Sequence, residues 1–123
     1  MEKLIECIRT VSNELGNHYK ENIYQSALYV ELNLKGYMVQ TEVIVPIFYK
    51  NVYIGFERAD IVIYNNDSIV IIELKSQNSR LSNKEIIQLR KYLNNMGCEK
   101  GLLVNFFESL EIMEVTKESS QKI

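Results

Sequence analysis

The sequence predicts an α/β domain in which a mixed β-sheet is flanked by helices. Three observations carry that prediction. Apolar residues recur at helical spacing in three separate stretches, and β-branched residues fill the segments between the second and the third. The third stretch also separates two apolar segments that read as buried strands. A helix joining two strands of one sheet makes them parallel neighbours, whereas the tight turns earlier in the chain make antiparallel ones, so the sheet is mixed.

Leu4, Ile8, Val11 and Leu15 mark a first amphipathic helix that Gly16 ends. A second runs from Lys20 to Lys35, with Ile23, Tyr24, Ala27, Leu28 and Leu32 as its apolar positions and Gly36 closing it. Tyr37 to Pro46 then turns β-rich and continues to Tyr49, past a proline that belongs at a sheet edge or a bulge. Lys50 and Asn51 make a turn. Val52 to Phe56 returns, Arg58 to Tyr64 is a strongly β-branched strand, and the Asn65 to Ser68 stretch carries turn chemistry before Ile69 to Lys75 runs back antiparallel. Ser82 and Glu85 have capping-box spacing ahead of a third helix marked by Ile86, Leu89, Tyr92, Leu93 and Met96, which stops at Gly97. Gly101 to Phe106 reads as a buried strand and Leu110 to Val115 as an added edge strand. The polar tail, residues 116–123, is expected to fray.

At 123 residues the chain is one domain, residues 1–123, and is large enough to bury a core without disulfides or a structural metal. The 14 Lys+Arg against 16 Asp+Glu give a net charge of -2, which excludes binding nucleic acid or anionic membrane by bulk charge, so any such binding needs a local patch. No apolar run approaches the roughly 20 residues of a membrane span, and Glu2 and Glu6 do not fit a signal peptide, so a soluble intracellular protein without a membrane partner is expected. Cys7 and Cys98 have neither zinc nor disulfide-framework spacing and are expected as buried free thiols.

The chemistry concentrates in the hairpin of Arg58–Tyr64 and Ile69–Lys75. A turn centred on Asn66 and Asp67 sets Tyr64 against Ile69, Asp60 against Glu73 and Arg58 against Lys75. Two ionised carboxylates in directly opposed positions repel by roughly 3 kcal/mol at an effective dielectric of 20, so something cationic has to compensate. Ile69, Ile71, Glu73 and Lys75 share one face of the strand, so two charges continue an apolar stripe. An Asp and a Glu converging on one point are hard oxygen ligands suited to Mg²⁺ or Mn²⁺, and Lys75 could stabilise developing charge or orient a metal-bound water. The same four residues also fit a structural ion-pair cluster in which Arg58 and Lys75 neutralise the acids; strand geometry alone leaves both readings open.

Arg58-Ala59-Asp60 followed by Ile71-Ile72-Glu73-Leu74-Lys75 resembles the core of the PD-(D/E)XK nuclease superfamily, and within it the small GxxExxR-type proteins. Gly16, Glu21 and Tyr24 reproduce that family's Gly, helical Glu and following Tyr. Gln88, Tyr92 and Leu93 resemble its helical Gln-x-x-x-Tyr-Leu element, and Gly101 to Phe106 its last core strand, so the likeness spans about residues 16–106. The resemblance implies a restriction-endonuclease-like fold in which Asp60, Glu73 and Glu21 hold a divalent metal, Lys75 assists the attacking water and Gln88 sits beside the site. It implies a Mg²⁺- or Mn²⁺-dependent nuclease acting on DNA. His18 departs from the pattern, standing where the family often has a second glycine, and Ser76-Gln77 replaces a commoner apolar pair.

Taken without the family, Glu21 is a first-turn residue that complements the helix dipole and Gln88 a solvated neighbour of Tyr92. His18, Tyr24, Arg58 and Tyr92 are candidate substrate contacts, and Lys84, Arg90, Lys91 and Lys100 a candidate basic rim. Most of the eight tyrosines are expected in the core or on the sheet surface, not as a base-stacking platform. A rival reading is a nucleic-acid-binding or partner-binding module that kept the fold without turnover. A homodimer presenting two sites to a duplex is a third, since so small a domain covers little DNA alone.

Overall fold

The computed structural model describes residues 1–66 and 68–123. Two helices, α1 (Glu2–Leu15) and α2 (Glu21–Leu34), precede a meander of β1 (Met38–Tyr49), β2 (Val52–Tyr64) and β3 (Ile69–Lys75); α3 (Asn83–Met96) then crosses to β4 (Lys100–Asn105), β5 (Glu111–Thr116) and β6 (Ser120–Lys122). The six strands form one sheet in sequence order, antiparallel throughout except for the β3–β4 pair that α3 connects. The expected mixed sheet flanked by helices is therefore the observed one.

The period-two alternation of β3 divides the core. Val70, Ile72 and Leu74 pack with Leu4, Ile8, Leu28 and Leu32 of α1 and α2, while Ile71 packs with Ile86, Leu89 and Leu93 of α3. On α3 the capping box forms as the spacing predicts, Glu85 accepting from the Ser82 backbone N–H at 3.2 Å and from its hydroxyl at 2.8 Å. Burial alone would push Glu85 up, yet the bonds from Ser82 and Gln77 hold its carboxyl below the usual range.

Gly101 lets α3 approach the sheet. A Cβ there would lie 2.7 Å from the Ile71 carbonyl oxygen and 3.2 Å from Leu89 Cδ1. Backbone cannot yield as a side-chain tip does, so Gly101→Ala should lower stability by about 1–3 kcal/mol, read from the denaturant midpoint.

Several expectations change in detail. The segments Val52–Phe56 and Arg58–Tyr64 are one continuous strand. Pro46 does lie on the edge strand, next to a register shift between Ile47 and Phe48. Tyr64 pairs with Ile69 as expected, with Asn65 and Ser68 closing the turn through backbone bonds of 2.9 and 3.4 Å; Asp67, placed at the turn's centre, lies outside the described residues. The segment from Leu110 is not the sheet edge, because the tail expected to fray adds β6 beyond it: Ser119 caps the turn through the Thr116 hydroxyl, and Ser120 to Lys122 pair with β5. Cys7 and Cys98 are buried free thiols, and burial raises both.

Candidate active site

The sheet ladder breaks at Asp60 on both sides. Toward β3 the pairing ends at Ile61–Ile72, one residue short of the opposition of Asp60 and Glu73 that the turn register predicts. Toward β1, Thr41 pairs with Ile61 and Val43 with Ala59, but Glu42 between them has a left-handed backbone, φ 53°. The face alternation shifts there too. Val39 and Ile61 pack toward α1 and α2, whereas Val43, Val45 and Ala59, at positions of the same parity, pack toward α3. The far half of the β1–β2 hairpin is thus turned over relative to the near half, with Glu42 and Asp60 at the joint.

Side chains take the place of the missing ladder bonds. The Asp60 N–H donates to Oε2 of Glu73 at 2.7 Å, the Leu74 N–H donates to Oδ2 of Asp60 at 2.8 Å, and Nε2 of Gln25 donates to the Asp60 carbonyl at 2.8 Å. The two carboxylates thus interlock between the strands. Each has one oxygen fixed by a backbone N–H; among the described residues Oδ1 of Asp60 and Oε1 of Glu73 accept no hydrogen bond.

Electrostatics mark this pair as unfinished. Burial pushes Asp60 up to about 6, with the charges of Glu21 and Glu42 adding to it, while the Leu74 hydrogen bond and Lys75 oppose. Glu73 is only 5% exposed, and burial followed by the charge of Asp60 pushes it up to about 8; the Asp60 N–H and Lys75 only partly offset this. Lys75 therefore acts on both acids, but does not neutralise them. Arg58, expected to help, pairs in the ladder with Ile44 and sits 5.6 Å over the Phe56 ring, and it does not face Lys75 across a β2–β3 pair. The ion-pair reading of the four residues loses one of its two cations.

Glu21 is the first residue of α2, exposed, and near enough that its charge raises both acids. It does not complete a cluster: among the described residues no three His, Cys, Asp or Glu side chains gather as a metal cage. Two fixed carboxylates with a free oxygen each still fit Mg²⁺ or Mn²⁺, because Mg²⁺ keeps several waters and commonly binds through one or two carboxylates plus substrate phosphates. A cation would also offset the burial and the neighbouring negative charges that disfavour the ionised forms of both acids.

On α3, Tyr92 is buried with its hydroxyl donating to Oε2 of Glu57 at 3.4 Å and accepting from Nε2 of Gln88 at 3.1 Å. Burial first, then the negative charges of Glu73 and Glu57, raise its phenol. Gln88 therefore reaches the site through Tyr92, and it lines a groove of about 560 Å³ with Glu57, Lys84, Ile87 and Lys91. Lys84 and Lys91 make half of the expected basic rim. Arg90 is instead turned to the Thr116 carbonyl, and Lys100 aligns with Val70, at the opposite end of β3 from Glu73.

The loop between α1 and α2 roofs the C-terminal ends of β3 and β4. Tyr24, a candidate substrate contact, is fully buried: its ring stacks on Phe106 at 4.4 Å and its hydroxyl donates to the Gly16 carbonyl at 2.6 Å. Its role is to anchor that loop, helped by Ser76, whose hydroxyl donates to the Tyr19 carbonyl at 2.7 Å. His18 is exposed in the loop, edge-on to Phe107 at 5.4 Å, with φ 75°, a conformation that explains why a glycine suits this position.

Sequence reasoning passed over Gln25, Glu42 and Glu57. Gln25 carried a legible signal, lying four residues after Glu21 on the same helix face; the left-handed turn at Glu42 carried none. Gln25 also donates to Oε2 of Glu42 at 3.1 Å, so it ties the joint of the hairpin to α2. Gln25→Leu, which strips the Asp60 carbonyl of its donor, should cost about 1–3 kcal/mol by denaturant melt.

An acid near the C-terminal end of the parallel strand β3, with a lysine two residues on and a second acid interlocked from the antiparallel strand β2, sits in a restriction-endonuclease-like nuclease fold. The chain belongs to the PD-(D/E)XK nuclease superfamily, whose profile matches residues 1–117. Among solved structures it is similar to the crystal structure of SSO0001, at 25% identity and a TM-score of 0.64 over 78% of this chain and 50% of that one. It therefore spans about half the length of SSO0001. It is also similar to Archaeoglobus fulgidus Hjc, a Holliday junction resolvase from an archaeal hyperthermophile, at 20% identity and a TM-score of 0.52, covering 84% of this chain and 82% of that one. That identity supports the shared fold alone. Comparison with curated protein sequences gives no match. Among the described residues no helix is long and apolar enough to cross a membrane.

Proposed function

We propose that this chain hydrolyses DNA phosphodiester bonds, with Asp60 and Glu73 holding Mg²⁺ or Mn²⁺. The observation that carries the reading is the interlocked acid pair, fixed by backbone N–H groups yet raised in proton affinity by burial and by neighbouring acids. When bound, the ion supplies an activated water and offsets charge on the scissile phosphate. Lys75 holds positive charge beside both acids and orients the attacking water. Glu21 adds a third acid from α2, able to accept a proton at the edge of the site. Gln88, Lys84 and Lys91 offer polar and cationic contacts for the nucleic-acid backbone in the groove beside α3. The finer GxxExxR resemblance suits this reading, as the Gly16, Glu21 and Tyr24 elements all lie in or against the roof of the site.

The Hjc likeness makes branched DNA the first substrate to try. Purified chain is incubated with single-stranded, duplex and four-way-junction DNA in Mg²⁺ and in Mn²⁺. Cleavage that needs the metal and vanishes in Asp60→Ala is expected; cleavage that survives Asp60→Ala and Glu73→Ala would end the mechanism.

One observation favours a second reading, a non-catalytic nucleic-acid-binding or partner-binding module: among the described residues no third acid completes the cluster. For that module, calorimetry finds DNA binding without Mg²⁺ or Mn²⁺ binding.

A further inference from the structure

We propose that two copies of this chain pack face to face through the outer apolar face of the far β1–β2 hairpin. Cross-strand partners share a face of a sheet, and the pairs Ile44–Arg58, Pro46–Phe56 and Phe48–Tyr53 therefore line one side of the hairpin beyond the Glu42–Asp60 joint. Val43, Val45 and Ala59 take the other side and pack toward α3. The turnover at the joint thus covers one face of the arm and leaves the other bare. Ile44, Phe48, Tyr53 and Phe56 are 55%, 58%, 54% and 47% exposed. Phe48 and Tyr53 meet edge to face at 6.1 Å, so the surface is pre-assembled.

Its size suits a second copy. With Ile54, the extra residue at the bulge, these side chains leave an apolar area on the order of 600 Å², at the top of the range for the largest patch on a typical monomer. Specific interfaces begin at about 600 Å² per partner, which this face reaches with Pro46 and the stem of Arg58. Nucleic acid is a poor occupant, because the face carries a single cation, Arg58, already engaged over Phe56. The arm's free edge is a poor route as well. Pro46 lacks an N–H, the bulge between Ile47 and Phe48 breaks the register, and Glu42 turns the strand, all devices that block strand addition. What stays open is the face, and a mostly apolar face whose one cation lies over its own Phe56 ring suits its own copy across a two-fold axis, as two stacked sheets do. Asp60 lies two residues from Arg58 on the same strand, so the pairing would hold two acid pairs at a fixed separation, whether or not the acids catalyse.

Sedimentation equilibrium of the full chain, from micromolar to hundreds of micromolar, tests this. Twice the chain mass is expected, with Phe48→Glu and Phe56→Glu each raising the dissociation constant at least a hundredfold and Leu34→Glu, equally bare but on α2, leaving it unchanged. Circular dichroism checks that the variants fold, and concentration-dependent NMR shifts of the Ile44 methyls in the unsubstituted chain read the same face without any variant. A monomer at every concentration overturns the proposal. So does a dimer that survives both hairpin substitutions, or a monomer whose DNA affinity drops in Phe48→Glu, which would assign the face to nucleic acid.

Discussion

Glu73→Gln should abolish metal-dependent cleavage and at the same time make the protein more stable at alkaline pH. The amide is nearly isosteric and keeps an oxygen to accept the Asp60 N–H, so the interlock between β2 and β3 survives. What disappears is a buried negative charge that repels Asp60 and, more weakly, Glu21. On the proposed role of Glu73 in holding the ion, its removal is expected to cost at least a thousandfold in rate, about 4 kcal/mol of transition-state stabilisation. Removing an ionised carboxylate that burial disfavours should add on the order of 2–4 kcal/mol of stability above about pH 8. Cleavage assays and denaturant melts on one preparation check both halves. A purely structural Glu73 would give the opposite result, a variant that is less stable and no less active. Activity and stability pulling apart at one residue is the mark of a site strained for function.

The hairpin shows how far the residues themselves foretold this site. Tyr64 against Ile69 follows from turn chemistry and period-two alternation, both local, and from that register the nearness of Asp60 and Glu73 is arithmetic. The capping box at Ser82 and Glu85, the stops at Gly16 and Gly97 and the two faces of β3 are local in the same way. What was not legible depends on contacts distant in sequence. The break at Asp60 needs Glu42 in a left-handed conformation and Gln25 reaching across from α2, and neither has a propensity signature. Tyr24 looked like a site residue because it stands three residues after Glu21. Helical geometry turns it inward against Phe106 instead, while Gln25, one residue on, takes the place beside Asp60. Arg58 and Lys100 show the same limit: charge is visible in a sequence, but the end of the sheet to which it is carried is not. The polarity of the tail predicts fraying, but an edge strand with all its side chains in water is equally polar.

Stripped of divalent metal, the protein should lose stability as pH rises, and Mg²⁺ should restore it only on the alkaline side. The sign follows from the pair: both acids have folded-state values above their ordinary 3.8 and 4.5, so between those values and about 6 to 8 the folded chain binds more protons than the unfolded one. Stability therefore falls with pH through that window and is flat above it, the reverse of a salt-bridged carboxylate. Because Asp60 and Glu73 repel each other, they titrate as a pair, and the steps belong to both. Mg²⁺ needs the ionised acids and competes with the protons. At pH 5 a chelator and excess Mg²⁺ should give the same melting temperature; at pH 9, Mg²⁺ at a hundred times its dissociation constant should add about 2.7 kcal/mol. Near neutrality, binding should also release protons, measured as a buffer-dependent heat in titration calorimetry. Asp60→Asn should abolish the Mg²⁺-linked proton release and reduce the alkaline slope without removing it, since Glu73 loses its charged neighbour but keeps the burial that raises it most. An alkaline melt indifferent to Mg²⁺ would mean that the acids meet to stiffen the joint between strands, with no ion to hold.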